Sequence, residues 1–234
     1  MAESGNSTAF LSNHVLAALK ADARDFIVDR AEMREMSTGD VIFTNGAQVT
    51  HLVFPLEGVV SFIAELAGDK SVEKVSIGRE GFLGFALVME SETSLGTSVV
   101  QVPGRALWLP TTDFDQALTR FRDVRAAMLR YAKSLMMQLM ESVACSSLHT
   151  AEQRVSRWLL QAHDRVSGDE FHVTQEAISR LLALRRATVN AACSDLMNAG
   201  AITYVRGRVT VRNRAALHAR SCPCYDRIRS ASVC

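Results

Sequence analysis

The sequence is poor in residues that break regular structure and has no long apolar run. It contains 4 prolines and 13 glycines in 234 residues, which excludes collagen-like chains and long low-complexity chains. No apolar run approaches the roughly 18 residues of a membrane span. Residues 1–12 lack the basic and hydrophobic segments of a secretion signal. We therefore expect a cytoplasmic protein without a membrane partner.

Cysteines are few, and none precedes Cys145. Because their number is odd and no two are spaced as CxxC, we expect free thiols rather than disulfides. Cys145 and Cys193 lie on apolar helix faces and are predicted to fill core space. The pair Cys222-Pro-Cys224 lacks a third and fourth ligand at a known spacing, so a disordered tail over 221–234 is favoured and no metal ion or cofactor is expected. The remaining cysteine is Cys234.

The near-neutral net charge of +1 hides an asymmetry. Residues 1–145 hold 13 basic and 18 acidic residues, whereas residues 146–234 hold 13 basic and 7 acidic residues. Every basic residue after Lys133 is an arginine. An acidic half followed by a basic half indicates two roles, the second involving a polyanion.

Periodicity divides the first half into a helical and a strand-rich part. Residues 13–35 have the apolar spacing of short amphipathic helices, and from Ser37 short β-branched and aromatic segments alternate with turn signals. This is typical of an antiparallel jelly roll, with Glu80–Met89 as a short helix over it. The predicted strands are Val41–Thr44, His51–Phe54, Val59–Ile63, Lys74–Ile77, Ser98–Val102 and Ala106–Leu109.

A long helix is predicted from about Phe114 to Ser146, with a break near Phe121. Five apolar residues recur at spacings of three and four, as in a coiled-coil seam, and further apolar residues form a second face. One interpretation is a helix that packs only on its own roll. We favour a homodimer, because a helix that is apolar on two sides can also bury a partner's copy. The seam residues are Leu129, Ala132, Met136, Leu139 and Val143.

The basic half has the pattern of a winged helix-turn-helix. A capping box at Thr150–Gln153 opens a helix, and Thr174 caps a short helix that is followed by a tight turn. A second helix, Arg186 to Ala199, begins with arginines and ends at Gly200. The segments Ile202–Val205 and Arg208–Val211 then form a hairpin with a basic tip, which we interpret as the wing.

The chain resembles the Crp/Fnr family of bacterial transcription regulators over nearly its whole length. The resemblance lies in VIFTNGA (41–47), HLVFPLEGVVSF (51–62), GREGFLG (78–84) and, most specifically, VTQEAISRLLALRRATVNAACSDLMNAGAI (173–202). It implies an α+β fold with an N-terminal antiparallel β-roll of the cyclic-nucleotide-binding type (1–120), a long dimerisation helix and hinge (121–148), a C-terminal winged helix-turn-helix (149–220) and a tail (221–234). The implied function is a homodimeric, non-enzymatic regulator that binds double-stranded DNA, with RNA polymerase left open as a partner.

The resemblance also assigns roles at the DNA. Arg186 falls at the family's base-reading arginine, and Asn190, one turn on, is suited to reading adenine or contacting a phosphate. Arg185 is open to either use. Ala183 stands where the family has glycine, which predicts a turn without a positive φ. The predicted phosphate contacts are Thr174, Gln175, Thr188, Arg206 and Arg208.

The effector site departs from the family's pattern. Members that bind cyclic AMP have a Gly-Glu pair for the ribose and an Arg-Ser or Arg-Thr pair for the phosphate, where this chain has Gly84-Phe85 and Gly96-Thr97; the helix offers Leu139 and Met140 to the base. Phenylalanine accepts no hydrogen bond and glycine carries no charge. We therefore expect that cyclic AMP is not the effector. Either another small ligand fills an apolar pocket, or the pocket collapses and the protein binds DNA without an effector.

Other classes fit less well. An iron–sulfur sensor with an N-terminal cysteine cluster is excluded because no cysteine precedes Cys145. His14 and His51 are predicted to be ordinary surface residues rather than haem ligands, and they do not supply the metal cluster of a cupin-like enzyme. The alternative that remains is a regulatory protein that responds to a small molecule or a redox signal without binding DNA.

Overall fold

The computed structural model describes residues 9–66 and 70–231. A 3-10 turn (Ala9–Ser12) leads into two short helices, α1 (His14–Ala17) and α2 (Ala21–Val28). Asn13 caps α1 through its side-chain oxygen, which accepts from the amides of the first turn. The Asn13 side-chain amide donates to the carbonyls of Pro55 and Gly81 at 2.9 and 2.8 Å. This buried side chain therefore ties the N-terminal helices to the strands.

Seven strands form the β-roll as two antiparallel sheets. One sheet has the order β1-β7-β3 and the other the order β2-β6-β4-β5, and the apolar side chains between them make up one hydrophobic core. A 3-10 helix at Phe85–Met89 lies between strands, as predicted for that segment. The strands are β1 (Glu32–Met36), β2 (Val41–Phe43), β3 (His51–Pro55), β4 (Val59–Leu66), β5 (Lys70–Ile77), β6 (Thr97–Val102) and β7 (Gly104–Pro110).

All six predicted strands are confirmed within a few residues, but β1 corrects the prediction for 13–35. That segment is helical only to Val28, and Glu32–Met36 pairs along its length with β7. Its sequence, EMREM, is rich in helix-forming residues, yet it lies at a sheet edge where the charged side chains face solvent. Pairing with β7 overrides the local helix propensity.

Helix α3 (Thr111–Arg120) is followed directly by the long helix α4 (Arg122–Leu148). The predicted break at Phe121 is confirmed, since this residue has extended φ and ψ angles of −126° and 110°. One face of α4 packs on the β-roll through Val124, Met128 and Tyr131. No helix in the described part of the chain is both long enough and apolar enough to cross a membrane.

The C-terminal part is a helical domain with a small three-stranded sheet of order β8-β10-β9. The capping box predicted at the start of α5 is confirmed, because Thr150 and Gln153 each bond the other's backbone amide. The buried residues Trp158, Ile178 and Val189 belong to the core of this domain. Its elements are α5 (Ala151–Asp164), β8 (Glu170–His172), α6 (Gln175–Leu181), α7 (Arg186–Asn198), β9 (Ile202–Val205), β10 (Arg208–Val211), α8 (Arg214–Ala219) and α9 (Cys224–Ala231).

The prediction of a disordered tail is wrong for residues 221–231. Helix α9 buries Cys224, Tyr225 and Ile228, and the Tyr225 hydroxyl donates to the Asp164 carboxylate at 2.8 Å. Tyr225 and Ile228 are three residues apart, so they lie on the same face of α9, and this face is buried against the rest of the protein. Cys234 lies outside the described residues.

The C-terminal domain and the β-roll share a buried interface. Arg165 donates to both carboxylate oxygens of Glu80, at 2.7 and 3.1 Å, and to the hydroxyl and carbonyl of Ser76. Burial disfavours the charged guanidinium, but the charge and hydrogen bonds of Glu80, together with the charge of Glu73, outweigh this effect and raise the Arg165 pKa above its ordinary value. Val59 and Val102 of the roll belong to the same hydrophobic core as the C-terminal domain.

Candidate DNA-binding interface

Helices α6 and α7 are joined by a turn that Ser179 closes from both sides. The amide of Leu184 donates to the Ser179 carbonyl at 2.9 Å, and the Ser179 hydroxyl donates to the Leu184 carbonyl at 2.7 Å. Ala183, within this turn, has a φ of +50°. The prediction that alanine avoids a positive φ is therefore wrong: the turn requires the left-handed conformation, and Ala183 adopts it at a steric cost.

Helix α7 has a buried and an exposed face. Val189, Cys193 and Leu196 pack into the domain core, and burial raises the pKa of the Cys193 thiol to about 11, which keeps it a neutral core residue. Arg186 and Asn190 lie one turn apart on the exposed face. The two predicted base-contacting side chains thus point the same way, into solvent.

The N-terminal end of α7 carries unneutralised positive charge. Arg185 is the N-cap residue and Arg186 the first helical residue, and the first turn contains no acidic side chain. Among residues 9–66 and 70–231, neither arginine has a carboxylate within 4.0 Å. The positive end of the helix dipole adds to their charge. This arrangement is suited to binding an anion such as a phosphate.

The wing carries two more of the predicted DNA-contacting arginines. The hairpin turn between β9 and β10 consists of Arg206 and Gly207, both with positive φ, as tight hairpin turns prefer. A side chain at Gly207 would meet the His172 ring at 2.7 Å. Arg206 is exposed at the tip, whereas Arg208 is paired with Glu170 at 2.8 Å. The structure therefore leaves Arg206 the freer cation of the two.

Three other predicted phosphate-contacting residues lie at the helix starts. Thr174 accepts a hydrogen bond from the Ala177 amide at 3.0 Å and so caps α6. Gln175 and Thr188 are half-buried. Thr174 also lines a groove of about 340 Å³ between α6 and the roll, together with the exposed Arg180. The outer face of α7 is thus open to solvent, whereas α6 lies beside the roll across this groove, with Thr174 exposed at its start.

Sequence reasoning missed a residue that positions the turn. Arg154 of α5 donates through Nη2 to the Leu182 carbonyl at 2.6 Å, and so holds the end of α6 against α5. Arg154 lies one residue beyond the capping box, on a helix that was predicted without any role in the turn. Only the packing of α5 on the helix-turn-helix brings the two together.

The structure brings together only part of the predicted effector site: Phe85 and Gly96 both lie beside Phe62. The Phe85 ring packs on Phe62 with a centroid distance of 5.4 Å, and a side chain at Gly96 would meet Phe62 at 3.3 Å. The Thr97 hydroxyl accepts from a backbone amide at 3.3 Å, and Gly84 precedes the 3-10 helix with a φ of +93°. Leu139 and Met140 are exposed on α4. Side chains of the roll therefore occupy the space beside Phe85 and Gly96.

The predicted seam of α4 lies on the side away from the roll. Met136 is 61% exposed and Val143 70% exposed, although both are apolar. Leu129 and Leu139 are also exposed, and Ala132 is half-buried. Contiguous apolar exposure on one helix face is typical of an interface. The homodimer itself stays a prediction.

Comparisons with known proteins agree with these observations. Residues 153–220 match the family described as the Crp-like helix-turn-helix domain. These residues run from the start of α5 to the end of α8 and so include α6, α7 and the wing. No curated protein is significantly similar to the chain.

Many solved structures share the fold. FixK2 from Bradyrhizobium japonicum has a TM-score of 0.69 at 15% identity, covering 82% of this chain and 98% of that chain. A CRP-family transcriptional regulator from Thermus thermophilus has a TM-score of 0.66 at 18% identity, covering 80% and 96%. The c-di-GMP-responsive global regulator CLP of Xanthomonas campestris has a TM-score of 0.64 at 16% identity, covering 83% and 100%. At these identities the similarity is one of fold.

Proposed function

We propose that this chain, which has the fold of Crp/Fnr regulators and carries a Crp-like helix-turn-helix domain, is a homodimeric transcription regulator that binds a pseudo-palindromic DNA site. The observation that carries the proposal is the pair Arg185 and Arg186, exposed and without a carboxylate partner among the described residues, at the N-terminal end of α7. Recognition helices of this motif contact base edges with their N-terminal residues.

Arg186 and Asn190 read bases in this proposal, and the other residues set the register on the backbone. An arginine pairs bidentately with guanine and an asparagine with adenine. Arg185, Arg206 and the capping residue Thr174 contact phosphates, which position the protein without reading sequence. Arg208 contributes less to affinity than Arg206, because Glu170 offsets its charge.

The dimer follows from the exposed seam on α4. A two-fold partner that covers Leu129, Met136, Leu139 and Val143 removes apolar surface from water on both chains. Two-fold symmetry then presents two copies of α7 about 34 Å apart, which is one turn of DNA. The preferred site therefore has two inverted half-sites with centres about 10 base pairs apart.

Cyclic AMP is not the effector in this proposal. Its phosphate is a full charge that is costly to bury without a partner. Gly96 removes the family's arginine, and the Lys74 ammonium near Gly96 cannot form the bidentate pair that an arginine makes. Phe85 and Phe62 fill the space beside Gly96, which favours a collapsed pocket and DNA binding without an effector over an open apolar pocket.

The experiment selects preferred sites from a random double-stranded library and then compares variants on the selected site and on scrambled DNA, at two salt concentrations. Arg186→Ala should lose about 1–3 kcal/mol on the selected site and relax the preference at one base pair of each half-site. Arg206→Ala should weaken both DNAs about equally and reduce the salt dependence. Arg105→Ala, an exposed arginine of the roll, is the matched control and should change neither.

An Arg186→Ala variant that keeps its sequence preference would remove the base-reading role. Binding of the wild-type protein that is equal for selected and scrambled DNA would contradict the proposed function as a whole.

A further inference from the structure

Four side chains with metal-binding atoms converge where α4 ends and α9 begins. Cys145 and His149 come from the last turn and C-cap of α4, Cys222 lies two residues before α9, and Cys224 is the first residue of α9. Their three sulfur atoms and one imidazole nitrogen all lie within 4.8 Å of one another. The three thiols are buried and the histidine is half-buried. We refer to these residues as the Cys3His cluster.

Two distances within the cluster are those of ligands around one ion. The sulfurs of Cys145 and Cys222 are 3.5 Å apart, and the Cys224 sulfur is 3.7 Å from Nδ1 of His149. Tetrahedral zinc has bonds of about 2.3 Å to sulfur and 2.0 Å to nitrogen, which place two sulfurs roughly 3.8 Å apart and a sulfur and a nitrogen roughly 3.5 Å apart. The observed distances match both values within about 0.3 Å.

Two other uses of the thiols fit less well. A disulfide needs its sulfurs about 2.05 Å apart, and the four described cysteines are free. In an iron–sulfur cluster, ligands bound to different iron atoms are separated by the irons and sulfides between them, which places them further apart than the 4.8 Å within which all four ligand atoms lie here. The cluster leaves room for one ion.

Local structure holds each pair of ligands in place. Cys145 and His149 are four residues apart, so they lie on the same face of α4. Pro223 separates the other two, and its fixed φ limits the conformations of the loop. The Tyr225 amide donates to the Cys222 carbonyl at 3.1 Å, which closes a turn around Pro223. Both pairs are thus preorganised before any ion binds.

A buried cation next to the cluster lacks a counter-charge. Arg157 is 5% exposed, its Nε atom has no hydrogen-bond partner, and its Nη1 donates to the neutral Gln161 at 2.9 Å. Within the described ranges no carboxylate lies within 4.0 Å of it, although it interacts electrostatically with Cys145. A buried charge requires a partner. Three thiolates and a neutral histidine around a divalent ion carry a net charge of −1. Arg157 and Arg154, which both interact electrostatically with Cys145, offset this charge and that of Glu141 beside Cys224.

We propose that Cys145, His149, Cys222 and Cys224 bind one zinc ion in a closed tetrahedral site. The ion fastens the end of the long helix α4 to the helix that follows the winged helix-turn-helix, and so fixes the orientation of α7 relative to the dimer seam. This differs from the expectation from the sequence, which assigned no metal ion to the chain and left Cys222 and Cys224 without further ligands.

The test uses the full-length protein, reduced, stripped of metal with a chelator and titrated with Co²⁺. Wild-type protein should bind one Co²⁺ per chain with the intense visible absorption of tetrahedral cobalt–thiolate sites, and Zn²⁺ should displace it. Cys224→Ser should lose that absorption. Cys193→Ser, the matched control at a buried cysteine of α7, should retain it. Zn²⁺ should raise the Tm of the wild-type and Cys193→Ser proteins and leave that of Cys224→Ser unchanged.

Circular dichroism before each titration separates the loss of a ligand from the loss of the fold. Cys224→His supplies a nitrogen ligand in place of the thiol and should recover part of the cobalt binding. The proposal is overturned if the reduced wild-type protein shows no cobalt–thiolate absorption, or if Cys224→Ser binds cobalt as well as Cys193→Ser does. Isolation of the protein with an iron–sulfur cluster, or with only a Cys145–Cys222 disulfide and no metal uptake, also overturns it.

Discussion

Of the contacts between the C-terminal domain and the β-roll, the ion pair between Arg165 and Glu80 should lose the most stability when one partner is replaced. Their side chains are 4% and 13% exposed, so solvent screens the pair little. Replacing Glu80 with Gln keeps the shape of the side chain and removes the charge, which leaves a buried guanidinium without its carboxylate. Breaking a buried pair in this way typically costs about 3–5 kcal/mol.

The contacts that remain decide where in that range the loss falls. Arg165 keeps its hydrogen bonds to the hydroxyl and carbonyl of Ser76, at 2.8 and 3.0 Å, and the Glu73 carboxylate still acts on it. We therefore expect the lower end, about 3 kcal/mol. That is roughly a 150-fold increase in the equilibrium constant for unfolding or for opening of the interface.

Urea unfolding of Glu80→Gln measures the loss, and Glu170→Gln is the matched control. Glu170 pairs with Arg208 on the surface, where the side chains are 49% and 66% exposed, so its replacement should change stability by less than about 1 kcal/mol. The double variant Glu80→Leu/Arg165→Met removes both charges and should recover most of the stability. If Glu80→Gln costs no more than Glu170→Gln, the account of this interface is refuted.

Three further predictions concern the dimer, the turn and the effector. Leu139→Glu places a charge in the α4 seam and should shift the protein from dimer to monomer in sedimentation, while Gln116→Glu on α3 should not; a dimer unchanged by Leu139→Glu would contradict the seam. Ala183→Gly removes the steric strain of an alanine in the left-handed conformation. After subtraction of the greater freedom of the unfolded chain, it should raise the free energy of unfolding by about 0.5–1 kcal/mol. A lower urea midpoint would argue against this strain. Cyclic AMP should give no binding heat in calorimetry; micromolar binding that Lys74→Ala abolishes would show that Lys74, beside Gly96, replaces the family's arginine.

Features encoded by neighbouring residues could be predicted from the sequence. The capping box of α5 needs only Thr150 and Gln153, and the break at Phe121 separates two helical patterns that are visible in the chain itself. The strands of the roll alternate in character and are bounded by turn residues, so their positions were predictable as well. Both local caps and periodicity depend on a few consecutive residues.

Features that depend on distant contacts could not be predicted in this way. The strand Glu32–Met36 exists because it pairs with β7, about 70 residues further on. The positive φ of Ala183 is imposed by the packing of two helices rather than by the residue itself. The thiols of Cys145 and Cys222 are 77 positions apart. The Cys3His cluster has two local signals, the Cys222-Pro-Cys224 pair and the spacing of Cys145 and His149 on a single helix face. They acquire meaning only together, when α9 packs beside α4.

The participation of Val59 and Val102 in the C-terminal core limits how far this chain can be divided into modules. A fragment that begins at α5 would expose to water the side chains that these two valines cover, and it would lose the Glu80 partner of Arg165. Grafting another winged helix onto the same β-roll would leave the two valines packed against a surface whose shape does not fit them. The winged helix-turn-helix of this chain is therefore tied to its own roll by shared core residues, and any exchange of parts must carry the interface residues of both sides.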